Sequence, residues 1–328
     1  MSAPSRAPAS RAELVERAKG KPLAPYALDE RMTFFCPQEN LEALDWELVT
    51  RFHAWGLRRA AAVAARAAGA GERAVLLLMP CEKVKPYALS PEHRAINAAL
   101  HAAGFLPSGR GDWPEQLAGA ADAALLSNAP LAGRGLRIDR AVVSEPFGVV
   151  PYEAIYRWEG ELSPCARYDD PGLFESRGLH CLWREDSTSI AMGNGRYRWG
   201  ENERAAYVAC HNRLVGRIVE TLTALAPAYE RIVAYTTPTL THRSFLTDRA
   251  GRLAAGLPTG RRVGGRVREL VGVGDLAPGL VEVLPTAAGL DELRAARRGR
   301  LPADVLQQPD ALAQLIARIE PRAPAPSG

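Results

Sequence analysis

Between Leu41 and Trp55 the apolar residues Leu41, Leu44, Leu48, Phe52 and Trp55 recur at gaps of three and four, the spacing of a helix that buries one face. The alanine-rich continuation to Ala68 favours the same conformation, and Gly69 and Gly71 supply a stop. The pattern predicts one long amphipathic helix. The next apolar run, Ala74 to Met79, shows no alternation at all, as expected of a strand covered on both faces in a parallel sheet. Ser90-Pro91-Glu92 then offers an N-cap, a proline at the first helical position and an acid in the first turn. A helix is predicted from there to Gly104.

The rhythm of strand, proline-bearing loop and helix returns downstream. Ile138 to Val143, Ile232 to Tyr235 and Leu280 to Leu284 read as short strands, and Glu201 to Ala226 and Leu290 to Arg298 as helices. Such alternation defines an α/β fold with a mostly parallel, doubly wound sheet. Residues 1–22 and 321–328 read as solvated tails, 23–71 as a helical amino-terminal segment and 72–320 as the α/β core. Gly193-Asn194-Gly195 reads as a hairpin turn, while Pro107 to Arg137 and Gly251 to Asp275 are rich in loop signals. Arg261, Arg262, Arg266 and Arg268 in the latter suit either phosphate contacts or a solvated surface.

Composition narrows the class. With 47% hydrophobic and 24% charged residues the chain is neither collagen-like, coiled-coil nor wholly disordered. The longest apolar run falls far short of the roughly 20 residues that span a bilayer, and the first 21 residues do not resemble a signal peptide. No membrane association and a cytoplasmic location are expected. A net charge of +4 is much weaker than that of a protein built to coat DNA. Five cysteines, Cys36, Cys81, Cys165, Cys181 and Cys210, form no C-x-x-C pair, so free thiols are expected and neither a zinc ribbon nor a disulfide framework. There is no dinucleotide or ATP-binding glycine loop; no metal and no cofactor are expected.

One short segment concentrates chemistry. Ligands of doubly wound sheets bind beyond the carboxyl ends of the strands, and Cys81 stands two residues past Met79 at such an end. Lys85, Tyr87, Ser90 and His93 follow within the same loop and helix start. A lysine and a helix N-terminus near a thiol favour its thiolate, the condition for a nucleophilic cysteine. Singly, each residue also suits a packing or capping role. Lysine usage shifts the balance: of 41 basic residues only Lys19, Lys21, Lys83 and Lys85 are lysines, and two of the four fall in this loop. An amine can give up its proton when desolvated, whereas guanidinium effectively cannot.

Pro80-Cys81-Glu82-Lys83-Val84-Lys85-Pro86-Tyr87-Ala88-Leu89-Ser90-Pro91-Glu92-His93 closely resembles the signature P-C-x3-K-P-Y-x2-S-x2-H of the archaeosine synthase core domain family, with all seven specified positions matched. Ser144-Glu145-Pro146-Phe147-Gly148-Val149-Val150-Pro151-Tyr152-Glu153, followed by Tyr168-Asp169, is similar to the family's S-x-P-L-G-V-V-P-x-E stretch and its later Y-D, with Phe147 in place of leucine. The resemblance is clearest over 74–235. It implies a uracil-DNA-glycosylase-like α/β fold and a transferase of the tRNA-modification type, which adds an amine to the nitrile of 7-cyano-7-deazaguanine through a cysteine thioimidate. The chain has no segment long enough for the transglycosylase-like domain of the archaeal enzymes and no recognisable PUA module. The deazaguanine is therefore expected as a free base, a nucleoside, or in tRNA or DNA, with lysine or another amine as donor and, for a nucleic acid, a partner protein to deliver it.

The implied roles are Cys81 as nucleophile, Lys85 as thiolate-stabilising or proton-transferring group and His93 as acid/base. Tyr87, Ser90, Ser144, Pro146 and Gly148 are expected around the substrate. Glu153 and Asp169 are expected to pair with the amino and N–H edge of the base. His242, in the Thr236 to Ser244 loop, falls on the same expected ligand edge; His211, mid-helix, reads as packing. A binding module for a modified or flipped base, and a relative that hydrolyses the nitrile to an amide, are the alternatives.

Overall fold

The structure, a computed structural model, describes residues 10–173, 182–193, 196–238 and 241–320. Ser10 and Glu13 form a capping box that starts helix α1 (Arg11–Ala18), whose Leu14 and Val15 pack on Phe35 and Cys36. Part of the expected tail, Arg11 to Ala18, is thus helical. Three buried residues, Leu14, Val15 and Ala18, on a short helix are too few to register as a period, and the partners of the cluster, Phe35 and Cys36, lie far along the chain.

The single helix predicted from Leu41 is two, α2 (Pro37–Ala43) and α3 (Glu47–Ala70). At the break, the freed carbonyl of Leu44 accepts a 2.6 Å hydrogen bond from Arg217, and Asp45 pairs with Arg213. The gaps of three and four run through the break because both helices turn their apolar faces to the same molecule's core. Gly71, at φ 58°, closes α3 in the left-handed conformation that glycine adopts freely.

Strand β1 (Ala74–Pro80) is buried along its whole length. Val75, Leu77 and Met79 pack in one apolar cluster with Ile96 and Leu100, while Ala74, Leu76 and Leu78 pack in another with Leu214, Ile218 and Leu222. This is why the strand shows no alternation. Helix α4 (Pro91–Ala102) begins where Ser90 Oγ accepts the His93 N–H. Short strands β2 (Leu106–Pro107) and β3 (Leu131–Gly133) precede the long β4 (Leu136–Ser144) and β5 (Gly148–Pro151). Helix α5 (Glu201–Leu225), strand β6 (Arg231–Tyr235), helix α6 (Thr241–Leu246), strand β7 (Glu282–Leu284) and helices α7 (Ala287–Ala296) and α8 (Pro309–Ile319) complete the core.

The seven-stranded sheet has the order β7-β6-β1-β4-β3-β2, with β5 also paired to β4. β7, β6, β1 and β4 are mutually parallel, β3 and β5 run antiparallel to β4, and β2 runs antiparallel to β3. The sheet is therefore mixed: β4 turns into β5 over three residues, far too few for a parallel crossover. Gly148, at φ 77° opposite Ser144, makes that tight turn possible.

The loop-rich Gly251 to Asp275 stretch contains an antiparallel hairpin, Gly260–Val263 with Arg266–Glu269, outside the main sheet. Arg261 lies over the rings of Trp199 and Tyr207, whereas Arg262, Arg266 and Arg268 are exposed. Ile190–Gly193 and Arg196–Arg198 pair antiparallel, and residues 194 and 195 of the expected turn lie outside the described residues. No helix among the described residues is long and apolar enough to cross a membrane.

Candidate functional site

The carboxyl ends of β1, β4 and β6 lie side by side. The Cys81 N–H donates to the Val143 carbonyl at 3.0 Å, which continues the ladder one residue past β1 and sets the thiol beside Ser144 and Glu145. β6 ends at Tyr235 and is followed by Thr236 and Thr237, and α6 then carries His242 back over the same edge. A cavity of about 470 Å³ opens there, lined by Cys81, Lys85, Glu145, Asp170 and His242 among others. That volume falls in the range of small-molecule sites.

Cys81 is partly exposed to this cavity, and its Sγ lies 3.0 Å from Tyr168 Oη and 4.0 Å from Lys85 Nζ. Burial opposes ionisation of the thiol, but the charges of Lys85 and His242 outweigh it and hold the thiol below its ordinary value. Lys85 itself is buried; its Nζ donates to the Glu82 carbonyl at 2.9 Å and sits 4.1 Å from the centre of the Tyr168 ring. Tyr168 Oη also contacts Ser144 Oγ at 2.6 Å and Tyr87 Oη at 2.9 Å. A hydroxyl has one proton, so if Tyr168 gives its own to sulfur, its two neighbours can only donate to it. Burial raises both tyrosines well above the ordinary phenol, which keeps this hydroxyl chain protonated.

Several expected site residues act from behind the cavity rather than in it. Ser90 caps α4, Tyr87 and Ser144 support Tyr168, and Pro146 and Gly148 shape the buried β4–β5 turn. His93 is fully buried between the rings of Tyr87 and Tyr152 and does not line the cavity. Its Nε2 faces the Pro80 carbonyl at 2.9 Å and must donate there, leaving Nδ1 to accept from Tyr152 Oη at 3.2 Å. The ring therefore fixes the residue before Cys81, and both nitrogens are occupied.

That arrangement has a consequence for stability. Burial lowers His93 to about 4, against an ordinary 6.5. A ring held neutral in the fold but free to protonate when unfolded stabilises the fold fully above pH 6.5, and this stability is lost as pH falls toward 4. The gap corresponds to about 3 kcal/mol. Urea unfolding should show wild type losing stability between pH 6.5 and 4, with a shallower slope in His93→Gln. Equal slopes would mean that the ring protonates within the fold and would return it to the acid/base role.

The carboxylates divide differently from the expectation. Glu153 is on another surface, bound through both oxygens to Arg59, and lines a separate cavity. The pattern could not reveal this, because the residue follows a buried strand whose exit direction only packing sets. Asp169 does line the Cys81 cavity, but Lys21 holds its carboxylate and its backbone pairs with Met32 and Phe34. Its neighbour Asp170 presents a carboxyl raised well above the ordinary range by burial and by Cys81 and Glu145.

Glu145, Asp170, Tyr168 and Lys21 carried no role in the sequence reading. Glu145 was signalled only by its place between Ser144 and Pro146 at a strand's end. Lys21 reaches the site because the segment before α2 pairs with the loop after β1, Leu23 N–H donating to the Lys85 carbonyl at 2.9 Å. Glu82 and Glu92 also line the cavity, and burial with the nearby Glu92 carboxyl lifts Glu82 to about 9.

His242 Nε2 is 3.3 Å from Glu145 Oε2, and both side chains are buried. The ligand-capable atoms of Cys81, Glu145 and His242 all lie within 4.8 Å of one another. A thiol, an imidazole and a carboxylate are donors that zinc accepts, and equally the set that activates a cysteine. No sequence spacing announces the group, since it comes from three distant stretches. Set against known protein families, curated proteins and solved structures, the chain matches none.

Proposed function

We propose that the chain is an archaeosine-synthase-like transferase that adds a primary amine to the nitrile of a 7-cyano-7-deazaguanine through a thioimidate on Cys81. The observation that carries this reading is the environment of one sulfur: a partly exposed thiol, 4.0 Å from a buried ammonium and 3.0 Å from a protonated phenol, at the mouth of a cavity on the sheet's carboxyl edge. The mixed α/β sheet with its site beyond β1 and β4 is compatible with the uracil-DNA-glycosylase-like architecture that the signature implies.

A nitrile carbon is a weak electrophile. Addition of the thiolate forms a C–S bond and divides the reaction into two easier steps. The amine then adds to the same carbon, the C–S bond breaks, and an amidine leaves with the thiolate regenerated. Lys85 stabilises the sulfur's charge, and Tyr168 can donate to it before attack. The carboxyl of Asp170 is a group in the cavity suited to the polar edge of the deazapurine.

The test offers 7-cyano-7-deazaguanine as free base, nucleoside, tRNA and DNA, each with and without lysine, and follows mass. A covalent protein adduct without amine, and an amidine-sized gain on the substrate with it, are the expected results. An amide product would replace the amine by water, and no mass change on protein or any carrier would remove the proposal.

A further inference from the structure

We propose that His242, oriented by Glu145, is the proton-transfer partner of Cys81, taking the place the signature leaves to His93. This inference rests on the nitrile reading for its substrate, but the pairing stands on geometry alone. His242 is 4% and Glu145 2% exposed, so neither side chain is shared with bulk solvent. The ring's Nε2 lies at ion-pair distance from Glu145 Oε2, and neither ring nitrogen has a well-directed hydrogen bond. A buried imidazole whose nitrogens lack directed partners costs free energy, and an unsatisfied group of this kind beside a thiol marks a functional site. Phe245, edge-on at 6.4 Å one turn along α6, limits the ring's freedom.

The charged and titratable groups around the pair come from every side of the cavity. Glu82, Lys83 and Lys85 belong to the loop after β1, Glu92 to the first turn of α4, Glu145 to the β4–β5 turn, Asp169 and Asp170 to the stretch that follows the buried Tyr168, and Lys21 to the segment before α2. Glu145 is the group in direct contact with the ring, and it favours the imidazolium over the neutral form; burial opposes this but is outweighed.

The protons balance over the cycle. The resting pair is thiolate and imidazolium. As sulfur attacks the nitrile carbon, one C–N π bond becomes a nitrogen lone pair and the imidazolium proton moves to it, giving a neutral thioimidate and a neutral ring. A neutral primary amine then adds, its N–H proton passes to the ring, and the C–S bond breaks to release the amidine and restore thiolate and imidazolium. No oxidant, reductant or further reactant is required. Glu145 holds the ring throughout and does not exchange protons, as with the carboxylate of other nucleophile–histidine pairs.

The test measures two things on the full chain. The first is the pH profile of Cys81 alkylation by iodoacetamide, followed by peptide mass; the second is the rate of the nitrile adduct. In His242→Asn and His242→Gln the alkylation midpoint should rise by about one pH unit or more, and adduct formation should slow by roughly 10²-fold. Glu145→Gln should slow the adduct about tenfold, with partial recovery in Glu145→Asp, as expected of a positioning residue. Circular dichroism confirms folding, and two His242 variants guard against one that fails to fold.

An alkylation profile unchanged in both folded His242 variants overturns the pairing, whatever the nitrile does. A shifted profile with no nitrile adduct in wild type keeps the pairing and removes the nitrile substrate. Stoichiometric zinc in the purified protein, with Cys81 unreactive until a chelator is added, would also overturn it, because the same three side chains would then be occupied by the ion.

Discussion

Cys81→Ala is expected to abolish the covalent adduct and to lower turnover by roughly 10⁴-fold or more, the scale of losing a nucleophile from a concerted catalytic group. The cysteine controls sharpen this. Cys165 and Cys210 are fully buried, and burial raises both thiols far above the ordinary range, so neither can substitute as a nucleophile near neutral pH. Cys36 is buried in the small amino-terminal cluster away from the cavity. Intact-protein mass spectrometry should therefore show a substrate-sized increment in Cys36→Ala, Cys165→Ala and wild type, and none in Cys81→Ala. The fold should survive, since the thiol is partly exposed and its loss removes little buried area. An increment that persists in Cys81→Ala ends the nucleophile assignment.

The second large effect concerns Lys85. A chain that uses arginine for 37 of its 41 basic residues has every means to place a guanidinium where only charge is needed, yet it places an amine here. The structure supplies the steric half of the reason. Lys85 is 2% exposed, its Nζ bonded to the Glu82 carbonyl and lodged against the rings of Tyr168 and Tyr87. A larger planar group would have to displace those rings, and with them the hydroxyl chain that ends on sulfur. Lys85→Arg should lower turnover by roughly 10²-fold or more while substrate binding is largely kept. Lys83→Arg, at an exposed position on the rim, should be nearly silent. Equal activity in Lys85→Arg and wild type would reduce the lysine to a replaceable charge.

The parts of this protein legible in its sequence are those with local causes. β1 could be read because both of its faces are buried, so no polar residue interrupts it, and α4 because Ser90, Pro91 and Glu92 each satisfy a requirement of a helix start within three residues. Cys81 and Lys85 could be singled out for related reasons: one follows a buried strand, and the other breaks the chain's habit of using arginine. Where an element depends on a distant partner, the sequence was silent or misleading. The break between α2 and α3 is held by Arg213 and Arg217 of α5, and α1 is ordered by Phe35 and Cys36, so periodicity alone merged the first pair and missed the last.

The site divides in the same way. That a thiol, an amine and a hydroxyl-rich loop belong together follows from their crowding into one stretch. Which other side chains complete the site is a matter of where strand ends and loops cross in space. The β4–β5 turn brings Glu145 to the edge, α6 returns His242 to it, and Tyr168 and Asp170 come from a further stretch of chain, whereas the turn after β5 carries Glu153 to another surface. His93 shows the limit most plainly. The signature implied an acid/base role for it, but α4 packs the ring inward between Tyr87 and Tyr152, and a histidine with both nitrogens engaged and no place in the cavity lining holds the loop in place instead.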